Sequence, residues 1–293
     1  MDVLSNLLRR EGGDKTVLFV TGAGLSVASG IPTYRGHESS TWSKFLYEWG
    51  TREKFLKDPL TWYNTFWLNT HHKREYLNAM PNRGHCGIGM LSQHFNGIRV
   101  VTQNIDGLHC KGKHFVREEQ LIEIHGHLGK YKCINADCPL ESETIADVKL
   151  EFAAAGGSTT NMGDPSSIET PRITSVPLCT CGEPLLPQAL FFDEDYESHP
   201  FYQYEKVEKW LSECVAIVFV GTSFSVGITT KATREACRRS IPVFNFNLNV
   251  DEKFNERTKP MVKQKVFNVL GPCEDTLPIL CQLSTARVSS RLY

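Results

Sequence analysis

Five short runs of consecutive apolar residues recur along the chain, and each stops abruptly at small or polar residues. Thr16–Val20 leads into Gly22-Ala23-Gly24. The run ending near Thr102 leads into Gln103-Asn104-Ile105-Asp106, and the run ending at Val220 into Gly221-Thr222-Ser223. Ile241–Asn247 closes on Asn247 itself, and Lys265–Gly271 on Gly271-Pro272-Cys273. Runs without alternation, rich in β-branched residues, predict strands buried on both faces. Segments of helical period lie between several of them, Gly227–Ser240 for example. Strands alternating with helices predict an α/β fold built on a doubly wound parallel sheet. Ligands of such sheets bind outside the carboxyl ends of the strands, so the five polar tips are candidate walls of one site. Any one of them is equally well a plain turn.

Two segments interrupt this rhythm. Residues 37–84 are aromatic-rich and helical in pattern, and hold four of the five tryptophans. Residues 131–185 hold clustered cysteines and a low-complexity stretch at about 151–176, which reads as a mobile loop.

Composition adds little that is unusual. The 293 residues are 41% hydrophobic and 22% charged, as in a globular chain with a substantial core. A net charge of -1 supplies no global field toward nucleic acid or an anionic membrane surface. No apolar run approaches the roughly 20 residues that span a bilayer. The first fifteen residues carry Asp2, Glu11 and Asp14 and resemble neither a secretory signal nor an acid-poor transit peptide, so a cytoplasmic or nuclear location is expected.

The cysteines change the picture. Cys133 and Cys138 have four residues between them, and Cys179 and Cys181 have one. Two close pairs suit a tetrahedral zinc ion held by four thiolates, the alternative being unligated surface thiols. Four thiolates leave no position for water, so such a zinc is structural.

At the first tip, Gly22 and Gly24 would let a phosphate approach the backbone, and Ser26 could cap the turn that follows. No Lys-Ser/Thr pair follows, which excludes a nucleoside triphosphate P-loop. Only two glycines stand where the hydride-transfer fingerprint has three, and the loop continues into Pro32, Thr33, Tyr34 and Arg35. Gln103, Asn104 and Asp106 could hold a carboxamide-bearing ligand, or could be an Asx-turn. His125 lies between a short apolar run and Gly126, where its imidazole could take a proton from a hydroxyl near neutral pH. His127, beyond the glycine, is the competing candidate.

In order along the chain, GAGLSVASGIPTYRG, TQNIDGLH, IEIHGHLGKYKC, the two cysteine pairs, GTSFSV and GPC resemble the motifs of sirtuins, the NAD-dependent protein-lysine deacylases. The resemblance covers about Val17 to Leu280. It implies a Rossmann-like NAD domain from residues 1–36, 85–130 and 186–293, a cofactor loop with a helical insertion at 37–84, and a small zinc module at 131–185. It further implies that Gly22, Ala23, Gly24, Thr33, Tyr34, Arg35, Gln103, Asn104, Ile105, Asp106, His125, Gly221, Thr222, Ser223, Asn247 and Cys273 contact NAD. His125 is the implied general base, with Asn104 beside it in the catalytic set, and Cys133, Cys138, Cys179 and Cys181 the implied zinc ligands. The implied substrates are acylated-lysine proteins. Mono-ADP-ribosyl transfer or NAD hydrolysis is a rival within the resemblance, and a non-catalytic NAD-sensing module a rival outside it.

Some positions depart from the family pattern. Thr33 and the GPC ending lean toward the class III, bacterial-type branch that removes acidic acyl groups. That branch carries Tyr-x-x-Arg in the helical segment, whereas the comparable place here holds Thr70 and Lys73, or His71 and Arg74 in the adjacent register. Asp193 replaces the glycine of the substrate loop's Phe-Gly-Glu, between a retained Phe192 and Glu194.

Overall fold

The computed structural model describes residues 1–33, 40–72, 74–153 and 171–286. The chain divides into two compact units. The first comprises residues 1–34, 80–124 and 203–293. Its centre is a six-stranded sheet of β1 (Val17–Thr21), β2 (Ile98–Thr102), β3 (Leu121–Glu123), β6 (Ala216–Val220), β7 (Val243–Asn247) and β8 (Val266–Leu270), β4 and β5 lying in the second unit. The spatial order is β3-β2-β1-β6-β7-β8, and every neighbouring pair is parallel. The five predicted strands are present. β3 adds a sixth at the edge, from a three-residue Leu-Ile-Glu run too short to show a period. The strand order reverses between β1 and β6, the position where doubly wound sheets bind ligands.

The unalternating apolar runs are explained by burial: every residue of β1 and β6 is buried, β2 and β7 each have one half-buried residue, and the edge strand β8 is partly exposed along its length. Phe19, Val100, Val218, Phe244 and Phe246 share one core with Leu277 and Leu280 of the helix Cys273–Thr285. That helix crosses helix Arg83–His94 at close range because Gly84 and Gly87 lie at the crossing. A Cβ on Gly87 would sit 3.0 Å from the Leu277 carbonyl carbon.

The second unit comprises residues 35–79 and 125–202. Antiparallel β4 (Gly126–Cys133) and β5 (Leu185–Ala189) pair Tyr131 with Pro187 and Cys133 with Leu185. The tryptophan-rich insertion forms the unit's aromatic core, where Trp62 packs edge-on against Phe55 at 5.2 Å and against Phe191 at 5.5 Å. Tyr63 Oη donates to the Leu185 carbonyl (2.7 Å), and Asn64 exchanges two hydrogen bonds with the Ile173 backbone. These contacts make the insertion and the cysteine module one body, with boundaries at 124/125 and 202/203. The β4–β5 ladder runs across the expected limits at 130/131 and 185/186. The predicted mobile stretch lies mostly outside the described residues. Its two ends are clamped, Ala153 N donating to Arg172 O and Thr174 N to Glu151 O. Among the described residues no helix is long and apolar enough to cross a membrane.

Candidate active site and metal centre

All six strands of the first unit point their carboxyl ends the same way, and the predicted tips of β1, β2, β6 and β7 meet there. Gly22 N donates to Val220 O (2.9 Å) and Gly24 N to Gly221 O (2.8 Å), so the turns after β1 and β6 touch backbone to backbone. A Cβ on Gly24 would stand 2.8 Å from Gly221 O. One on Gly221, whose φ is +57°, would stand 2.5 Å from Leu25 N. This is a cradle from which side chains are excluded, at the start of the short helical turn Ala23–Ser29, where a diphosphate could approach the backbone closely. Gly221→Ala is therefore expected to weaken NAD binding at least about tenfold, through a left-handed backbone that disfavours Cβ and a turn forced off Leu25. Isothermal titration with NAD measures it.

Side chains after β2 close the next wall. Gln103 Nε2 donates to Thr21 O (3.1 Å) and Thr222 Oγ1 (3.2 Å). Asn104 is buried and its Nδ2 donates to Gly22 O and to Ser26 Oγ, both at 3.1 Å. Asp106 accepts from Ser26 Oγ at 2.6 Å through one oxygen and from Leu108 N at 2.9 Å through the other. The Asx-turn and the site arrangement thus coexist in a single carboxylate. Asn247 Nδ2 donates to Thr222 O (3.0 Å), joining β7 to the β6 tip. Ala23 and Ile105 are half-buried beside these groups, while Ser223 is exposed. Cys273 is buried in the core, so any ligand contact there falls to its backbone. Thr33 is half-buried, and Tyr34 and Arg35 lie outside the described residues.

Beneath the tips is a layer the sequence reading did not anticipate. His109 Nε2 lies 3.0 Å from Thr21 Oγ1, His85 Nε2 lies 3.5 Å from Ser26 Oγ, and the two imidazoles are 5.2 Å apart. Burial depresses His85 to about 4. Burial, with repulsion from His85 and partial opposition by Asp106, depresses His109 to about 3. Both are neutral at neutral pH and act as hydrogen-bonding supports. In the unfolded chain each titrates near 6.5, so between pH 6.5 and 4 the unfolded state binds more protons. Stability is complete above about pH 6.5 and falls as the solution is acidified, by about 2 kcal/mol per histidine between pH 7 and pH 5. Urea midpoints across that range check this, and His85→Gln should flatten the slope.

In the second unit, His125 follows Ile124, whose amide continues the β3 ladder by donating to Thr102 O (3.0 Å). His125 is half-buried. Its carbonyl accepts from Leu190 N (2.9 Å), and its Nε2 lies 3.4 Å from Tyr196 Oη, the two rings nearly parallel. Gly126 has φ +105°, and a Cβ there would collide with Gln188 O. The glycine after the histidine is thus a strand-crossing requirement that fixes the imidazole's departure point. His127 lies within β4 itself.

The sulfurs of Cys133, Cys138, Cys179 and Cys181 lie within 4.8 Å of one another, with Cys133–Cys181 at 3.6 Å and Cys138–Cys179 at 3.7 Å. Four thiolates about 2.3 Å from a tetrahedral zinc would be roughly 3.8 Å apart, so the cluster fits the ion. Burial holds the Cys133 thiol at about 12, while the Cys181 amide brings Cys179 to about 7. A dication is what lets all four ionise together. It would supply cross-linking and no chemistry to a substrate.

A profile of the Sir2 family matches residues 22–227. The chain belongs to the Sir2 family. Over 268 residues this Sir2 chain is 43% identical to the NAD-dependent deacetylase sir2E of Dictyostelium discoideum, covering 91% of the chain and 73% of that protein. It is 30% identical to the mitochondrial NAD-dependent protein deacylase sirtuin-5 of Danio rerio, covering 90% and 81%. Among solved structures, a mutant Sir2 homologue in complex with ADP-ribose matches with a TM-score of 0.70 over 98% of this chain and 99% of that one, at 21% identity. A Sir2 homologue–NAD complex matches at 0.66 over 94% and 92%, also at 21%. At that identity the likeness establishes the fold.

The residues considered for acyl and peptide recognition in this Sir2 chain divide by burial. Thr70 is buried, its Oγ1 donating to Phe66 O (2.7 Å) and pairing with His71 Nδ1 (2.7 Å). His71 is buried and stacked on Trp67 at 4.1 Å. Lys73 lies outside the described residues. Phe192 is exposed and rests on Tyr47. Glu194 carries a side chain only 4% exposed, paired through both oxygens with buried Lys132 at 2.7 Å. The resemblance placed Glu194 in the substrate loop, but nothing in the sequence gave it Lys132 as a buried partner.

Proposed function

We infer that the chain is an NAD-dependent protein-lysine deacylase, most simply a deacetylase, that converts NAD and acyl-lysine to nicotinamide, O-acyl-ADP-ribose and free lysine. The observation that carries the reading is the Sir2 family match over residues 22–227, which contain every proposed catalytic and zinc residue and all proposed NAD contacts except Asn247 and Cys273.

In this reading Gly22, Ala23, Gly24 and Gly221–Ser223 hold the phosphates. Gln103, Asn104, Ile105 and Asp106 orient the ribose and carboxamide. Thr33, Tyr34 and Arg35 belong to the loop over the nicotinamide ribose, and Asn247 and the Cys273 backbone serve the adenosine end. Loss of nicotinamide leaves an oxocarbenium-like carbon that the acyl oxygen captures. A neutral amide oxygen succeeds there only when it is held in line and water is kept out, an advantage worth roughly 7–11 kcal/mol. His125 then takes the proton of a ribose hydroxyl, which attacks the acyl-derived carbon; the lysine nitrogen, protonated, leaves as the free amine, and water adds to the acyl-derived carbon left behind to give O-acyl-ADP-ribose.

Acetyl is favoured over acidic acyl groups because the place of the Tyr-x-x-Arg pair holds Thr70 and Lys73, or His71 and Arg74 in the adjacent register, with no tyrosine in either, and Thr70 spends its hydroxyl on the helix backbone. Retention of His125 favours deacylation over ADP-ribosyl transfer, NAD hydrolysis or mere sensing, since only the later acyl steps need that base. The protein substrates are acylated-lysine proteins in a reducing compartment, cytoplasmic or nuclear, where the cysteines stay as thiolates on zinc. Acetyl-, succinyl- and longer acyl-lysine peptides, assayed with NAD for nicotinamide and O-acyl-ADP-ribose, test the reading. Acetyl turnover at least about tenfold above succinyl is expected. NAD consumption without any O-acyl product would refute it.

A further inference from the structure

The turn Phe191–Glu194 is tied down at every residue. Phe192 N donates to Gly50 O (3.0 Å), and its ring lies 4.5 Å from Tyr47. A Cβ on Gly50 would reach within 3.1 Å of that ring, so Gly50 is what leaves the ring its place. Glu194 accepts from Phe191 N (3.1 Å) and is anchored on Lys132 of β4. Asp193 makes the least expected tie. Its two carboxylate oxygens accept from Arg52 N (2.7 Å) and Glu53 N (2.9 Å), the first two amides of helix Arg52–Lys57. The next, Lys54 N, donates to Thr51 Oγ1 (3.1 Å), so the first three amides of that helix are satisfied, partly by a residue 140 positions away. Arg52 also reaches Ile134 O through Nη2 (3.0 Å), next to the ligand Cys133.

We propose that Asp193 is a positioning residue that locks the Phe191–Glu194 turn onto the connection at Gly50–Arg52, so that the exposed Phe192 ring is presented to an acyl-lysine peptide in a single pose. The glycine of the sirtuin pattern has no side chain with which to make this tie. A turn held beforehand spares the peptide the entropy of ordering it, so the effect belongs to peptide affinity. The inference rests on the reading above, in which this turn contacts the peptide.

Steady-state kinetics with an acetyl-lysine peptide and NAD separate the two. Asp193→Ala should raise the peptide KM about tenfold, with kcat and the NAD KM within about twofold. Asp193→Asn, which keeps one acceptor and a strong capping preference, should restore most of the affinity. Phe192→Ala is the reference and should also raise the peptide KM. An unchanged peptide KM in Asp193→Ala, with a raised one in Phe192→Ala, overturns the inference alone. No change in either variant overturns the assignment of this turn to the peptide. Loss of soluble protein in Asp193→Ala, or equal loss of kcat and both affinities there and in Asp193→Asn, marks a purely structural role and also overturns the inference.

Discussion

Replacing His125 with alanine is expected to lower acyl-lysine turnover by about two to four orders of magnitude, the range a general base contributes, while NAD affinity stays within about twofold. The separation follows from placement. The groups proposed to hold the dinucleotide are the close backbone turns at Gly22–Gly24 and Gly221, tied to one another and to the sheet, and side chains that brace one another, Asn104 on Ser26 and Gln103 on Thr222. The His125 ring lies against Tyr196. Initial rates of O-acyl-ADP-ribose formation, paired with calorimetric titration of NAD, measure both quantities. Undiminished turnover would remove His125 from the mechanism, and loss of NAD affinity in parallel would make it a binding residue. Gly126→Ala supplies an independent check. The added methyl would meet Gln188 O at a backbone already at φ +105°, so β4 must shift and carry His125 with it. Turnover should fall although the imidazole is retained.

The second large effect is on stability. Purified protein should contain one zinc per chain, and Cys179→Ser should lose it together with about 10 °C of thermal midpoint, equivalent to about 3–5 kcal/mol. β4 and β5 form a two-stranded ladder, marginal without further support. Cys133 ends β4, and Cys179 and Cys181 precede β5, so the ion would close the end of the ladder that Tyr63 also braces. Binding energy of that kind is folding energy. Elemental analysis and scanning calorimetry, with and without chelator, read the two expectations. A Cys179→Ser protein as stable as its parent would mean that the aromatic core around Trp62 holds the module unaided.

Between them, these two substitutions separate what was readable along the chain from what was not. Local order, an apolar run, an imidazole, a glycine and then the cysteine module, made His125 a candidate beside His127, and the resemblance to sirtuins chose between them. The four ligands were found from spacing. Glu194 was not found as an anchor, because an acid followed by Asp195 looks solvated until Lys132, 62 positions away, is seen against it in a dry place. His85 and His109 escaped for the same reason, their partners Ser26 and Thr21 lying 59 and 88 positions distant.

The amino-acid order by itself determined the strands, through unbroken apolar runs that only a two-sided burial tolerates. It also determined the polar tips that end them and the thiolate pairs. Local periodicity and spacing are carried by neighbours in the chain, so they survive without the fold. The tertiary structure alone decided the edge strand β3, the division after Ile124, the glycine contacts that bring the β1 and β6 turns together, and the buried ion pair behind Phe192. Each of these depends on packing between segments far apart in sequence, where burial and desolvation, rather than any repeating pattern, select the partner.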